Sequence, residues 1–318
     1  MDKESMKYDV DLSIYVPVYN HEKYIVQALD SILMQKTKYS YEVWIGEDAS
    51  TDNTKAILKE YEKKCPDNFH FLYREKNMHN SECRNGSDLK ARCKGKYIIC
   101  LEGDDFWTDE YKLEKQIDFL ENHPEYIAAA HNCVVVGKDS LPNGEVYPEC
   151  NDSDYSFRHF ASEIMPGQYA TVMARNYMID SNFNSALVKM QISPGDRLIY
   201  FSLLCHGKIY CMQEKMSAYR HITDSGSSFS ATYKYDFKLT EKWHSSLMEY
   251  AYDLDNKSAI TFAELLYFRC IGCGLKVKAI NFVEFLSYFR NIHHKMYSVY
   301  LYVKGKINSV VFHKKIWY

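Results

Sequence analysis

Carboxylates and aromatic rings gather at three points of this sequence, each directly after a β-rich run. Pro17-Val18-Tyr19-Asn20 follows LSIYV, Glu47-Asp48-Ala49-Ser50-Thr51-Asp52 follows YEVWI, and Glu102-Gly103-Asp104-Asp105-Phe106-Trp107 follows KYIICL. Acidic groups gathered in one place repel one another and are costly unless a cation joins them. A donor set made of oxygens suits Mg2+ or Mn2+, and those ions suit a diphosphate. Neither GxxxxGK[ST] nor GxGxxG occurs in the chain, so phosphates would be held chiefly through metal. These residues predict a metal-dependent nucleotide-diphosphate site.

The elements that must position them alternate. Strands are expected over 12–16, 41–45, 69–73, 96–101 and 126–136, with the first ending at Pro17. Between them, Tyr24, Ile25, Ala28, Leu29, Ile32 and Leu33 recur at helical spacing, as do Leu113, Ile117 and Leu120 before the His123-Pro124 break. Strands separated by helices predict an α/β fold with a mainly parallel sheet flanked by helices, joined by right-handed crossovers. In such sheets ligands bind outside the carboxyl ends of the strands, where the three clusters fall. Residues 138–160 read as loop, Ser225–Ser230 (SGSSFS) as loop or linker, and 236–318 as mostly helical.

The order and spacing of these pieces resemble the family 2 glycosyltransferases. The resemblance rests on LSIYVPVYN, EVWIGEDASTDNT, KGKYIICLEGDDFWTDEYKLEKQIDFL and GDRLIYFSLLCHGKIYCMQEKMSAYR, and covers about residues 10–230. It implies a GT-A fold, with residues 1–230 as catalytic domain and 231–318 as a helical, basic C-terminal extension. The implied substrate-binding residues are Pro17, Tyr19, Asp48, Asp104, Trp107 and Arg220. Tyr19 packs on the base, Asp48 accepts from the uracil ring nitrogen, and Arg220 carries charge for the diphosphate. Asp105 is implied as a direct ligand of Mn2+ or Mg2+, and Asp104 as reaching the ribose or the metal. Glu102 stands where the family pattern has an Asp. Trp107 is a candidate platform for sugar or acceptor. Asp196, in Gly195-Asp196, is implied as the base that takes the proton of an acceptor hydroxyl in an inverting displacement. Tyr219-Arg220 is followed at once by His221, with Ile222 where the family's histidine falls.

The implied reaction moves a sugar, from UDP by preference, to a hydroxyl of a saccharide or lipid-linked saccharide in cell-surface polysaccharide synthesis. Two alternatives stand beside it. A nucleotidyltransferase making NDP-sugars would carry a Gly-rich basic loop where VPVYNHEKYI stands. A non-catalytic relative would have lost Asp48, Asp105 or Asp196, and all three are present.

Composition adds a charge asymmetry. From Lys276 onward eight Lys/Arg face one acid, Glu284, so that segment is +7 and residues 1–275 carry −10 of the net −3. An acidic body argues against nucleic acid as a partner. A basic, aromatic-rich segment suits either an anionic membrane surface or a solvated helical face. With no apolar h-region at the start and ten cysteines at irregular spacing, the expected setting is cytoplasmic, peripheral on the inner face of the membrane. Cys270-Ile271-Gly272-Cys273 lacks a second pair and reads as structural.

Overall fold

Short β-branched runs and amphipathic helices alternate through the first half of the chain, as their periods predict. The computed structural model describes residues 8–78, 84–176, 195–222 and 235–311; the stretch 225–230, read as loop or linker, lies outside them. The first elements are β1 (Leu12–Val18), α1 (Ile25–Leu33), β2 (Tyr41–Glu47), α2 (Thr54–Glu62) and β3 (Phe69–Tyr73). Then come α3 (Asn85–Arg92), β4 (Tyr97–Cys100), β5 (Phe106–Trp107), α4 (Lys112–Asn122) and β6 (Tyr126–Val136). A short strand β7 (Asp154–Tyr155) and helix α5 (Phe157–Ala161) interrupt the segment expected to be loop. β8 (Met173–Arg175), α6 (Gly195–His206) and β9 (Lys208–Arg220) follow. Four helices close the described chain: α7 (Phe237–Asp253), α8 (Lys257–Lys276), α9 (Phe282–Phe289) and α10 (Lys295–Val311).

Eight strands run in the order β3-β2-β1-β4-β8-β6-β9-β5. β1 pairs in parallel with β2 and β4, and β2 with β3; the β4–β8, β6–β8 and β5–β9 pairs are antiparallel. The sheet is therefore mixed: the strand–helix alternation builds the parallel half, and later strands extend it without needing crossover helices. The described residues within 1–153, 166–184 and 209–222 form one compact unit, and those within 154–165, 185–208 and 223–318 a second. The chain passes between them several times rather than parting once at residue 230, because β8 and β9 return to complete the first unit's sheet.

In the first unit Leu12, Ile14 and Val16 of β1 are fully buried with Ile25, Leu29 and Ile32 of α1 and Leu113, Ile117 and Leu120 of α4. β1 runs through Pro17, at which it was expected to end, and one residue beyond it to Val18. Pro17 has no N–H to give, and its carbonyl accepts from Gly103 N at 3.3 Å, beyond the end of β4 at Cys100.

Trp107 is not a stacking platform. Its ring is 1% exposed, its indole Nε1 donates to the Ala170 carbonyl at 3.1 Å, and its backbone N donates to Ser31 Oγ. The Lys112 ammonium lies 4.2 Å from the ring centroid and donates to Gln116 Oε1, and its burial drives its pKa well below the usual lysine range. β5 turns this aromatic inward because its pairing with β9 (Trp107 opposite Ser217) places it on the core face.

In the second unit α8 packs along α7. By length and composition α8 could cross a membrane, yet Ala263, Leu266, Tyr267 and Ile271 are buried, as in the core helix of a globular unit. Cys270 is buried on this helix, as a packing residue is, and Cys273 is exposed. Replacing Trp107 by Ala should lower stability by about 3–5 kcal/mol, the range for deleting a large buried aromatic. Chemical denaturation reads it, and a change near zero would return Trp107 to the list of surface residues.

Candidate active site

The parallel pairing of β1 with β2 and β4 brings three carboxyl-end turns onto one rim of the first unit. The turns after β1 and β2 are bonded to each other. Asn20 Oδ1 accepts from Thr51 N at 2.8 Å, Ser50 Oγ from Asn20 N at 3.0 Å, and Thr54 Oγ1 from His21 N at 2.8 Å. Both turns reverse through left-handed residues, Asn20 at φ 58° and Ala49 at φ 56°. Asn is well suited to that region, whereas Ala49 is held there against a cost of about 1–2 kcal/mol.

Tyr19 stands on this rim with 42% of its surface open. Asp48 is buried, its backbone N donating to Val18 O at 2.9 Å and its Oδ1 accepting from Met78 N at 2.8 Å. The neighbouring Asp52 is the local turn acid: its carboxylate takes Thr54 N at 2.9 Å and Glu22 N at 3.1 Å. Asp48 is thus not consumed in capping α2.

The third turn carries the densest charge. Asp105 is 2% exposed, with Oδ1 accepting from Arg220 N at 2.7 Å and Oδ2 from Gln168 Nε2 at 2.8 Å. Burial, then the charges of Asp104 and Glu102, push its pKa well above the usual carboxylate range. Asp104 points outward, its side chain about a third exposed, with His21 Nε2 3.8 Å from Oδ2. Asp104 offers an accessible carboxylate and Asp105 a buried one already bonded to protein donors.

Arg220 is also turned inward. It is 4% exposed, and its guanidinium donates to the carbonyls of Asp104 and Gly137 at 2.8 Å each and to Gln27 Oε1 at 2.9 Å. The Tyr24 ring lies 4.0 Å away, and burial lowers the arginine's pKa. The group is bound up in holding the acidic turn instead of being presented to a diphosphate. His221 bonds Glu145 Oε2 at 2.5 Å, outside the acidic turn. Pro17 lies within β1, beside Gly46 of β2. Asp196 belongs to the second unit, in the first turn of α6, where its Oδ1 accepts from Arg197 N at 2.7 Å.

Two residues of the rim were missed from sequence. Gln168 bonds Asp105 and, at 3.4 Å, Glu102, while its own Oε1 accepts from Ala170 N. Its turn needs Gly167, where a Cβ would fall 2.6 Å from the His131 carbonyl oxygen. His21 packs against Gly103, where a Cβ would fall 2.7 Å from its Nδ1. A glycine inside the acidic motif was the one local signal that something approaches there.

Fold and rim together define an α/β domain with an acidic ligand edge at the ends of parallel strands. Residues 13–170 match the family model described as Glycosyl transferase family 2, and this part of the chain is a family 2 glycosyltransferase domain. An uncharacterized protein of Mycobacterium tuberculosis is 31% identical over 209 residues, 66% of this chain and 58% of that protein. The chain thus spans little more than half that relative's length. The putative teichuronic acid biosynthesis glycosyltransferase TuaG of Bacillus subtilis is 37% identical over 109 residues, 34% of this chain and 41% of TuaG. The poly(ribitol-phosphate) beta-glucosyltransferase of Bacillus spizizenii is 35% identical over 139 residues, 43% of this chain and 20% of that enzyme. Among solved structures, S. aureus TarS 1-349 in complex with UDP-GlcNAc aligns with a TM-score of 0.61 at 16% identity, covering 95% of this chain and 81% of that one. The fold is accordingly GT-A-like, with a helical C-terminal region.

The raised pKa of Asp105 sets a pH signature for the protein free of ligand. The folded chain holds that proton to higher pH than the unfolded chain, whose carboxyl titrates near about 3.9. Its contribution to stability is complete below that value and is lost as pH rises toward the folded pKa. Asp105→Asn cannot titrate, so its melting temperature relative to wild type should climb as pH rises above about 4. The acceptor lost with the substitution adds a constant offset and leaves this slope unchanged. Parallel pH profiles for the two proteins would place the raised proton affinity elsewhere.

Proposed function

We propose that this protein transfers a sugar from a nucleotide diphosphate, UDP by preference, to a hydroxyl of a saccharide or lipid-linked saccharide, inverting the anomeric centre. The observation that carries the reading is the rim itself: an open aromatic ring, a strand-end Asp and a crowded acidic turn on adjacent parallel strands of a family 2 domain. Tyr19 offers its face to the base, and Asp48 accepts from the uracil ring nitrogen. The acceptor is placed in cell-surface polysaccharide synthesis, a reading supported by the names of the TuaG and poly(ribitol-phosphate) relatives.

Glu102, Asp104 and Asp105 fit a divalent ion by donor chemistry. They are hard oxygen ligands, and their mutual repulsion, which adds to burial in raising the pKa of Asp105, is what a cation relieves. Asp104, the accessible carboxylate, would hold Mn2+ or Mg2+, with Asp105 behind it. Such an ion supplies charge for the departing diphosphate. Asp196, the base that the family resemblance implies, takes the proton of the attacking hydroxyl.

A donor screen tests the reading: purified protein, a panel of NDP-sugars with Mn2+ or Mg2+, and release of free nucleoside diphosphate. Asp104→Ala should abolish release and the metal-dependent part of UDP binding, and full activity in excess EDTA would remove the metal. Asp196→Asn keeps size and should leave donor affinity intact while kcat falls roughly 10²–10⁴-fold. A loss of donor affinity with normal turnover would make Asp196 a binding residue. No release from any donor in the panel would sink the transferase reading.

A further inference from the structure

The two helices α9 and α10 face the wrong way for a helix pair in water. In α9 (FVEFLSYF) no residue is buried, although five of its eight residues are large apolar ones. Phe285 and Phe289 turn toward Phe268 of α8, with ring centroids 6.4 and 5.7 Å away, while Phe282, Val283 and Leu286 remain exposed. In α10 the inversion is sharper. Met296 is 83% exposed and Ser298 1%, so the serine faces the protein and the methionine faces out. Met296, Tyr300 and Val303 recur at i, i+4 and i+7, one stripe of the helix, with Tyr297 stacked on Tyr300 at its edge.

This surface is held firmly. The buried carboxylate of Glu264 in α8 accepts from the backbone N of His293 and His294 at 2.8 and 3.1 Å and from the Tyr252 hydroxyl. Tyr302 packs edge-on against Phe268 at 5.3 Å. The same segment exposes Lys276, Lys278, Arg290, Lys304 and Lys306, and the Lys304 ammonium lies 5.9 Å from the Tyr300 ring centroid. The one acid from Lys276 onward, Glu284, is engaged in the capping box of α9 with Asn281.

We infer that the outer faces of α9 and α10 form a docking surface for an anionic lipid bilayer, lying in the headgroup region without crossing it. Charge complementarity selects this occupant: exposed apolar and tyrosyl side chains on a segment that also exposes five cations match an interface with acidic lipid. A protein partner or a second copy of this chain would have to bring a separate acidic surface, because the one acid of this segment, Glu284, is already bonded. The purpose we assign, meeting a lipid-linked acceptor, rests on the function proposed above; the surface does not.

The test uses the full chain, because removing α9 and α10 would uncover Phe268 and Glu264. Co-sedimentation with phosphatidylglycerol vesicles needs no turnover, so its outcome is separate from that of the donor screen. Wild type should pellet with these vesicles at low salt, release at high salt and ignore phosphatidylcholine vesicles. Phe282→Ser with Leu286→Ser, and separately Met296→Ser with Tyr300→Ser, should each lower vesicle partitioning at least about tenfold with an unchanged melting temperature. Lys304→Glu with Lys306→Glu should do the same and flatten the salt dependence. No binding to the acidic vesicles, or equal binding to neutral ones, overturns the proposal. So does a falling melting temperature in the serine variants, which would mean the face is packed. A dimer that the same variants dissociate would assign the face to a second copy.

Discussion

Three carboxylates within four residues repel one another, and the acidic turn after β4 stays in place because one arginine is bonded to it from below. Arg220 gives its backbone N to Asp105 and its guanidinium to the carbonyl of Asp104, so a single residue grips the turn through both main chain and side chain. The same guanidinium reaches Gly137 beyond the end of β6 and Gln27 on α1. Burying such a cation is expensive unless its donors are satisfied. Here carbonyls, an amide oxygen and the face of Tyr24 meet it, and the sheet's antiparallel end is thereby locked to its parallel rim. Gln168 completes the cage from the other side.

The rest of the rim follows from that anchoring. With the β4 turn fixed, the β1 turn lies against it through His21 and Gly103, and the β2 turn is bonded to the β1 turn through Asn20, Ser50 and Thr54. Tyr19 and Asp48 are therefore placed by loops that brace each other. Ala49 in a left-handed conformation is tolerated because those bonds over-determine the turn.

Burial in the second unit runs counter to composition. α8 is apolar enough to suit a lipid environment and is largely packed inside the unit, whereas α9 and α10 expose aromatic and aliphatic side chains beside lysines. The buried Glu264 accounts for part of this. By accepting the two histidine N–H groups it sets the rotation at which α10 starts, and with that rotation Ser298 goes in and Met296 goes out.

The parallel half of the sheet was legible in the residues, because strand and helix periods are local properties and the runs at 12–16, 41–45, 69–73 and 96–101 carry them clearly. So were the three clusters that end up on the rim, since a parallel sheet sends every strand's carboxyl end to the same edge. The resemblance to family 2 glycosyltransferases was carried by those segments together with 195–220, and the family match, over residues 13–170, reaches the first three but not the last. What only the tertiary structure decided is which member of each cluster faces out. Trp107 went into the core and Arg220 under the acidic turn, Asp104 rather than Asp105 is the accessible acid, and Gln168 and His21 joined the site without any motif. Each of these outcomes depends on partners far along the chain, 63 residues away for Gln168 to Asp105 and 115 for Arg220 to Asp105. A local period records how a segment folds, but the direction of a side chain at a strand end is set by whichever distant donor or ring meets it there.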